Sequence, residues 1–359
     1  MAFTMRSSCF KSTISIAIIL AIVYIVFDQS TRSSSERHST KQIENQTANR
    51  LPNRKTIITS TASTIQSSTY NRKSPPPKLL SDYKNPCWRS EVSGNIRCIP
   101  YFQIIGMDKC GTTDLFDRIV KHPEILQNDG VLNKETMWWS WHRYVNIKSF
   151  PLSIRAIFAV VGDGTPMDMW DFTGWTQIPQ NQNLTEPKYL TPHLIKHINN
   201  KTKFIIILRN PVDRLYSDYF FLNPSKNLTR ITFHKAVETS KLNLENCRKL
   251  YTLRKCLYNR TLARIHLGYY SVFLKEWFNV FPREQFIILR TEDYSKSIGQ
   301  HLNKIFKFLK VRQLSDEEMT KLGMLKTKRL YETKNKPNGT RGDMLDETLF
   351  ESDSIHQIN

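Results

Sequence analysis

The chain has 359 residues, of which 40% are hydrophobic and 11% aromatic, and this is enough for one large domain or two small ones. It carries 52 Lys and Arg residues against 32 Asp and Glu residues, and the net charge of +20 favours a polyanionic partner. Nucleic acid, an acidic polysaccharide and an anionic membrane surface all satisfy that charge, and composition alone excludes none of the three.

The N-terminal residues predict a membrane anchor. Residues 1–11 form a short tail with two basic residues, and the following stretch 12–27 contains an apolar run from Ile14 that only Ser15 interrupts. The basic residues place the tail in the cytosol and the rest of the chain in the lumen. A cleaved signal peptide is the alternative, but the sequence FDQSTRS that follows has no small-x-small cleavage site, which favours an uncleaved anchor.

Residues 28–85 predict a disordered luminal stem, because they are rich in Ser, Thr, Lys and Arg and show no apolar period. The folded domain is predicted over 86–359. Six N-x-[ST] sequons agree with a luminal address, which argues against nucleic acid as the partner. The predicted glycosylation sites are Asn45, Asn183, Asn200, Asn227, Asn259 and Asn338.

Four cysteines fall into two local pairs, Cys87 with Cys98 and Cys247 with Cys256. Neither pair has the C-x-x-C spacing of a zinc site, and no His lies beside them at ligand spacing, so no metal site is predicted. In an oxidising lumen the pairs predict two disulfides with short loops, leaving Cys110 outside them. Free thiols in both pairs are the alternative.

Short apolar runs that alternate with helical patterns predict an α/β fold with a mostly parallel sheet covered on both sides. The predicted strands are 101–106, 156–163, 204–208 and 285–289. The predicted helices start at Thr112, after Pro192 and at Pro211, and cover 262–280 and 298–309. Ligands in such folds bind beyond the carboxyl ends of the strands.

The segment GMDKCGTT, residues 106–113, lies at such a strand end and suits an anion. Gly111 permits close backbone approach, and Thr112 and Thr113 add hydroxyl groups at a helix N-terminus, where amides and the helix dipole favour negative charge. Lys109 precedes Gly111 by two residues, whereas the lysine of a Walker loop follows its last glycine. An ordinary helix cap with an incidental lysine is the alternative.

The segment LRNPVDRLYSDY, residues 208–219, follows the strand 204–208. Arg209 leaves the strand tip, and Ser217 lies about two turns into the following helix. An arginine can bind a phosphate with two parallel hydrogen bonds, and a serine hydroxyl can add another donor. A surface helix that starts at Pro211 and carries solvated charges is the alternative.

Together the two segments resemble the phosphosulfate-binding signatures of the Golgi carbohydrate sulfotransferase family. The resemblance implies a P-loop-like sulfotransferase fold, with 3′-phosphoadenosine 5′-phosphosulfate (PAPS) as cosubstrate and no required metal. The residues implied to hold the 5′-phosphosulfate are Lys109, Cys110, Gly111, Thr112 and Thr113. Arg209 and Ser217 are implied to hold the 3′-phosphate. Lys109 is also implied to act in catalysis, at the oxygen that bridges phosphate and sulfate.

Glu135 is the candidate general base. The segment NKETMWW, residues 133–139, resembles the K-E-P-x-[WF]-[WF] pattern of the family, in which the Glu deprotonates the acceptor hydroxyl. Thr136 stands where the family has Pro. A carboxylate near large apolar rings suits this role, because burial can raise its pKa. A surface Glu on a helix is the alternative, and His142 is the next candidate for the base.

Further blocks, from CGTTDLFDRIVKHPEI to REQFIILRTEDY, are most similar to the branch of the family that adds sulfate to the 6-hydroxyl of 4-sulfated N-acetylgalactosamine in chondroitin or dermatan sulfate. The branch implies an anionic glycosaminoglycan acceptor. Flat Trp rings can stack on sugar faces, although core packing explains part of the Trp cluster equally well. The predicted acceptor-binding residues are Lys134, Trp138, Trp139, Arg143 and Trp170.

The C-terminal sequence departs from the family, which continues into a further helix where this chain stops after RGDMLDETLFESDSIHQIN. Lys336 and Arg341 are still predicted to supply a basic loop over PAPS. The prediction is therefore a single-pass type II Golgi membrane enzyme with a luminal catalytic domain. A catalytically inactive glycosaminoglycan-binding homologue and a luminal P-loop kinase, which requires Mg²⁺, are the alternatives. The sequence does not indicate an oligomeric state.

Overall fold

The computed structural model describes residues 78–89, 94, 96–142, 159–223, 228–258 and 263–326. The predicted cytoplasmic tail and anchor, and the stem as far as residue 77, lie outside these residues. No helix within the described ranges is long and apolar enough to cross a membrane. Asn183 and Asn200 are exposed, while the other four predicted glycosylation sites lie outside the described residues.

The first two strands form a small antiparallel ribbon, β1 (Cys87–Arg89) and β2 (Ile96–Cys98). Cys87 and Cys98 lie directly opposite each other in this ribbon and are joined by a disulfide. A second disulfide joins Cys247 to Cys256, so both bonds follow the pairing that the local spacing predicts.

The central sheet has five strands in the order β4-β5-β3-β6-β7, and every neighbouring pair is parallel. The strands are β3 (Phe102–Gly106), β4 (Ile125–Leu126), β5 (Val160–Asp163), β6 (Lys203–Leu208) and β7 (Phe286–Arg290). β3 is buried along its whole length and β6 at every residue after Lys203, as continuous apolar runs predict for central parallel strands. The predicted α/β fold class is therefore confirmed.

Nine α-helices lie in the described part of the chain. They are α1 (Thr112–Ile119), α2 (Thr191–Ile198), α3 (Pro211–Leu222), α4 (Arg230–Arg248), α5 (Leu253–Leu257), α6 (Tyr270–Phe278), α7 (Thr291–Lys296), α8 (Ile298–Leu309) and α9 (Asp316–Lys321). The predicted starts at Thr112 and Pro211 and the bounds of 298–309 are confirmed. In α8 the predicted apolar stripe is buried at Leu302, Ile305, Phe306 and Leu309.

The helix predicted over 262–280 is interrupted. A 3-10 turn covers Ile265–Gly268, and Tyr269 then leaves the helical region with a ψ of 60° before α6 begins. The carbonyl oxygen of Arg264, directly before the turn, accepts a hydrogen bond from Arg214 Nη2 at 2.7 Å. Tertiary contact with α3 therefore fixes the backbone at a point where the apolar pattern alone predicts an unbroken helix.

Candidate functional site

The carboxyl edge of the sheet collects three connections, which follow β3, β6 and β7. The amide of Met107 donates to the carbonyl of Ile207 at 2.9 Å, which joins the loop after β3 to β6. Thr291 begins α7 directly after β7, and its Oγ1 lies 2.5 Å from the carbonyl oxygen of Cys110 and 2.9 Å from that of Leu208. The Thr291 hydroxyl therefore contacts both segments, the loop after β3 and the end of β6, that carry residues predicted to bind the nucleotide.

The loop from β3 to α1 has the backbone of an anion site. Lys109 and Gly111 have positive φ values of 63° and 96°. A Cβ on Gly111 meets no atom closer than 3.9 Å, so the glycine serves the left-handed backbone conformation rather than close packing. As the N-cap of α1, Gly111 makes no side-chain capping bond. The first-turn amides of α1 are therefore not engaged by a capping side chain and point where an anion can accept from them.

Lys109 and Arg209 meet at the mouth of this loop. Arg209 Nη1 lies 3.5 Å from the carbonyl oxygen of Lys109, and Arg209 Nη2 lies 3.9 Å from Asp213 Oδ2. The Lys109 ammonium sits 3.6 Å from the centre of the Phe221 ring, which is exposed near the end of α3. The Arg209 guanidinium thus lies against the backbone two residues before Gly111, and Arg209 and Lys109 are two cationic residues available to an anion such as a phosphosulfate.

Ser217 and Cys110 are both buried. Ser217 lies in α3, directly before Asp218, whose pKa is influenced by the Lys109 charge. Burial raises the pKa of the Cys110 thiol to about 12, and Cys110 Sγ lies 3.9 Å from the hydroxyl of Tyr270. Cys110 is outside both disulfides, as predicted. A thiol with so high a pKa is not nucleophilic, so the backbone of Cys110 is the part suited to an anion.

A partly buried ionic network lies beside Lys109, and the sequence did not predict it. Asp108 Oδ2 accepts from Arg264 Nη1 at 3.0 Å and from Trp170 Nε1 at 3.1 Å. Arg264 Nε also donates to Asp218 Oδ2 at 2.8 Å, and Arg214 Nη1 lies 3.4 Å from the same oxygen. Arg214 and Asp218 lie one helical turn apart in α3, but Asp108 and Arg264 are 156 residues apart, so no local pattern predicts their pairing.

The network shifts the pKa values of its two carboxyl groups in opposite directions. Burial raises the pKa of Asp108; the positive charge of Arg264, and to a smaller extent that of Arg214, only partly opposes this effect. Burial also acts to raise the pKa of Asp218, but Arg264 and Arg214 together bring it below its usual value. Asp218 is thus well compensated by two guanidinium groups, whereas Asp108 depends mainly on one.

Glu135 lies on a tight turn near the same loop. Val131 and Glu135 form an antiparallel bridge, and Glu135 Oε1 lies 2.5 Å from Lys134 Nζ. The Glu135 side chain is 15% exposed, whereas Lys134 is fully buried and also donates to the carbonyl of Gly164 at 2.9 Å. A Cβ on Gly164 lies 2.6 Å from Lys134 Cγ, so the glycine makes room for the lysine. The amide of Gly164, which directly follows β5, donates to the carbonyl of Lys134 at 2.8 Å, and this places the Glu135 turn at the carboxyl edge of the sheet.

Thr136 fixes this turn to β5. The Thr136 hydroxyl donates to Asp163 Oδ2 at 2.5 Å, and its amide donates to Asp163 Oδ1 at 3.2 Å. Thr165 Oγ1 donates to Asp163 Oδ1 at 2.7 Å and accepts from the amide of Met137 at 3.1 Å. Burial raises the pKa of Asp163, while these hydrogen bonds oppose the shift. Asp163, to which the sequence assigned no role, anchors the residue that follows the candidate base.

The tryptophans predicted to bind sugar are mostly inside the protein. Trp138, Trp139 and Trp170 are buried, and the Trp170 ring lies 5.1 Å from the Arg264 guanidinium. Together with the burial of Lys134, this favours a supporting role over direct sugar contact for these four side chains. His142, the alternative base, is exposed at the end of a π-helical turn.

Three predicted site residues, Arg143, Lys336 and Arg341, lie outside the described residues. Among the residues that the structure describes, no group of three or more His, Cys, Asp or Glu side chains is arranged to hold a metal ion.

Comparison with known proteins gives one family match and several relatives. A family model described as a sulfotransferase domain matches residues 100–353. Carbohydrate sulfotransferase 15 of Mus musculus is 31% identical over 336 residues, which cover 71% of this chain and 59% of that protein. The chain therefore spans less than two thirds of the length of this relative.

Two solved structures are also similar. A sulfotransferase from Alicyclobacillus acidocaldarius is 21% identical with a TM-score of 0.44, and the match covers 63% of this chain and 90% of that one. The mouse sulfotransferase SULT7A1 in complex with PAP is 14% identical with a TM-score of 0.35, covering 66% of this chain and 73% of that one.

Proposed function

The chain belongs to the sulfotransferase domain family, and from that premise we propose that it is a carbohydrate O-sulfotransferase that uses PAPS. One observation carries the proposal. The loop with Lys109 and the strand end with Arg209 meet at one edge of the sheet, where Arg209 Nη1 lies 3.5 Å from the Lys109 carbonyl. The turn with Glu135 lies at the same edge, because the amide of Gly164, directly after β5, donates to the Lys134 carbonyl at 2.8 Å. The residues proposed to bind the anion and the proposed base therefore lie at one edge of the sheet.

The residues present suit a nucleotide with phosphate groups at both ends. Lys109 and the first-turn amides of α1 are the proposed contacts for the 5′-phosphosulfate, because a helix N-terminus and a full positive charge both favour an anion. Arg209 and Ser217 are the proposed contacts for the 3′-phosphate. Arg264 bonds to the carboxylates of both Asp108 and Asp218, which reduces the negative charge that they present to a bound anion.

In the proposed reaction, the Glu135 carboxylate takes the proton of a sugar hydroxyl as its oxygen forms a bond to sulfur. The bond between sulfur and the bridging oxygen breaks, and its electron pair stays on the departing 3′,5′-diphosphate. Lys109 stabilises that developing charge, which is the electrostatic part of the barrier. Lys134 holds Glu135 in place through a contact of 2.5 Å and leaves its second oxygen for the acceptor.

The proposed acceptor is a chondroitin or dermatan-type glycosaminoglycan that already carries a 4-sulfate on N-acetylgalactosamine, with transfer to the 6-hydroxyl. The net charge of +20 and the similarity to carbohydrate sulfotransferase 15 support this choice. The N-terminal apolar run and the two disulfides support a Golgi membrane location with the catalytic domain in the lumen.

The test is transfer of radiolabelled sulfate from PAPS to 4-sulfated and unsulfated chondroitin, with disaccharide analysis after chondroitinase digestion. We expect more label on the 4-sulfated chain, at the 6-hydroxyl of N-acetylgalactosamine, and an acceptor KM that rises with salt because the partner is a polyanion. Label on glucosamine or uronic acid contradicts the acceptor assignment alone. Binding of acceptor without transfer identifies the inactive homologue, and phosphoryl transfer from ATP that EDTA abolishes identifies a kinase.

A further inference from the structure

We propose that Arg264 is a positioning residue for the nucleotide: it joins the phosphosulfate loop to α3 and cancels the negative charge that Asp108 places beside the ligand. The inference rests on the proposed function, because it concerns the PAPS site of that reaction. Arg264 does not touch the ligand in this account. It acts through Asp108 and Asp218, the sequence neighbours of Lys109 and Ser217.

The geometry of Arg264 is that of a bridge between two elements. On one side, Nη1 donates to Asp108 Oδ2 at 3.0 Å, in the loop that follows β3. On the other side, Nε donates to Asp218 Oδ2 at 2.8 Å and Nη2 donates to Asp218 Oδ1, in α3. The second contact is a paired fork, which fixes orientation as well as distance. A single guanidinium therefore links the side chains of the two elements that carry the predicted nucleotide contacts.

The Arg264 side chain is itself held in place from two directions. Its guanidinium packs 5.1 Å from the Trp170 ring, and Trp170 Nε1 donates to the same Asp108 oxygen at 3.1 Å. Its backbone carbonyl accepts from Arg214 Nη2 at 2.7 Å. Because both the guanidinium and the backbone of Arg264 are fixed, a shift of Asp108 or of Asp218 strains the contact of Arg264 with the other carboxylate. This is the arrangement expected of a residue that preserves a distance.

The charges give the bridge a second role. Asp108 directly precedes Lys109, so an uncompensated carboxylate there opposes the binding of an anionic phosphosulfate. Asp218 keeps Arg214 at 3.4 Å if Arg264 loses its charge. Among the described residues, the Asp108 carboxylate accepts hydrogen bonds from Arg264 and from the neutral indole of Trp170. Removal of the Arg264 charge is therefore expected to expose Asp108 more than Asp218.

The chain offers a matched control in Arg254, which bridges two carboxylates elsewhere. Arg254 Nε lies 2.5 Å from Glu276 Oε1, and Arg254 Nη1 lies 3.3 Å from Glu186 Oε2. These residues lie in α5, in α6 and in the segment before α2, and none of them neighbours a predicted nucleotide contact. A purely structural role for Arg264 predicts that Arg264 and Arg254 behave alike.

The experiment measures binding of 3′,5′-adenosine diphosphate (PAP) by titration calorimetry, together with the melting temperature and the KM values of transfer. We expect Arg264→Met to weaken PAP binding at least about tenfold and to raise the KM for PAPS, with the acceptor KM little changed. Arg254→Met is expected to lower the melting temperature while PAP affinity stays within about twofold. Asp108→Asn removes the opposing charge, so it is expected to bind PAP about two- to fivefold more tightly than the wild type.

The double variant Asp108→Asn with Arg264→Met is expected to recover the part of the affinity that Arg264→Met loses through the uncompensated Asp108 charge, while the part lost with the bridge to Asp218 is not recovered. The proposal is overturned if Arg264→Met binds PAP like the wild type, or if the double variant is no better than the single one. Should Arg264→Met fail to fold, Asp108→Asn decides alone, because a structural role predicts weaker binding and charge compensation predicts tighter binding. A wild-type chain that does not bind PAP overturns the proposed function itself, which separates the two failures.

Discussion

The two halves of the site are built by different means. In the nucleotide half, Lys109 and Arg209 leave the ends of two central strands, and backbone hydrogen bonds fix where they emerge. In the base half, Glu135 lies on a turn outside the sheet, and buried side chains hold it there. The first half depends on strand register and helix starts, while the second depends on Lys134, Thr136 and Asp163. Substitutions in the two halves should therefore separate ligand affinity from turnover.

The largest effect is expected at Lys109, where the proposed charge stabilisation occurs. Lys109→Ala should lower kcat/KM for PAPS by about 10²- to 10³-fold, as the loss of one stabilising group of this kind does elsewhere. Steady-state kinetics measures this. Lys203→Ala is the matched control, because Lys203 also lies over a phenylalanine ring, 4.5 Å from the centre of Phe308, but at the opposite end of β6. Equal losses in both variants contradict the assignment.

Glu135→Gln tests the base half of the site and should leave the nucleotide half unchanged. We expect turnover to fall by about 10²-fold or more, the usual range for a general base, while PAP affinity is retained. Calorimetry with PAP and rapid-quench measurement of one turnover separate the two quantities. Glu318→Gln is the control, since Glu318 also pairs with a basic residue, Arg312, at 2.8 Å on the exposed surface. Near-normal turnover in Glu135→Gln places the base elsewhere and makes His142 the next candidate.

Arg209→Ala and Ser217→Ala test the nucleotide half, and here nucleotide binding should change more than turnover. Each should raise the KM for PAPS by about tenfold with a smaller change in kcat, because the lost contact binds ground state and transition state alike. Initial rates over a range of PAPS concentrations show the difference. Arg290→Ala is the control for Arg209: Arg290 also ends a strand and lies 3.8 Å from an acid in the next helix, Asp293. A loss confined to kcat argues against these assignments.

The smallest effect is expected at Thr136, which supports the base turn. Thr136→Val should lower kcat by about tenfold or less through misplacement of Glu135, with PAP affinity unchanged, whereas Thr136→Ser should restore the wild-type rate. The pH profile of kcat should move in Thr136→Val only. Thr191→Val is the control, because the Thr191 hydroxyl is also buried but has no hydrogen-bond partner among the described residues. A drop in PAP affinity for Thr136→Val contradicts the separation of the two halves.

The sequence predicted the nucleotide half better than the base half, and the reason is physical. Apolar strand runs, Gly111 and Pro211 are local signals, so the strand ends and helix starts around Lys109 and Arg209 were predicted within a residue or two. Pairings such as Asp163 with Thr136 join segments that no local pattern connects. The two-residue strand β4 also has no period to detect, because it is too short.

The Trp cluster shows that the sequence can also suggest a binding role for residues that the fold buries. A run of Trp residues beside a candidate base suggested sugar stacking, but an indole ring is equally suited to packing in a core, and composition does not distinguish the two uses. Trp170 also uses its Nε1 to orient Asp108, a role that depends on a partner 62 residues away. The helix α4 was missed because its buried positions, Phe233, Val237, Ser240 and Leu244, form a narrow stripe on a mostly polar surface.

The Thr291 hydroxyl, which contacts the carbonyl oxygens of Cys110 and Leu208, limits how this protein can close over a ligand. A hydroxyl has one proton to donate, so the two carbonyl oxygens share it, and neither loop can withdraw without changing the other's contact. We therefore expect the spacing between the Lys109 and Arg209 backbones to change little when a ligand binds, and any closure over the ligand to come from other segments.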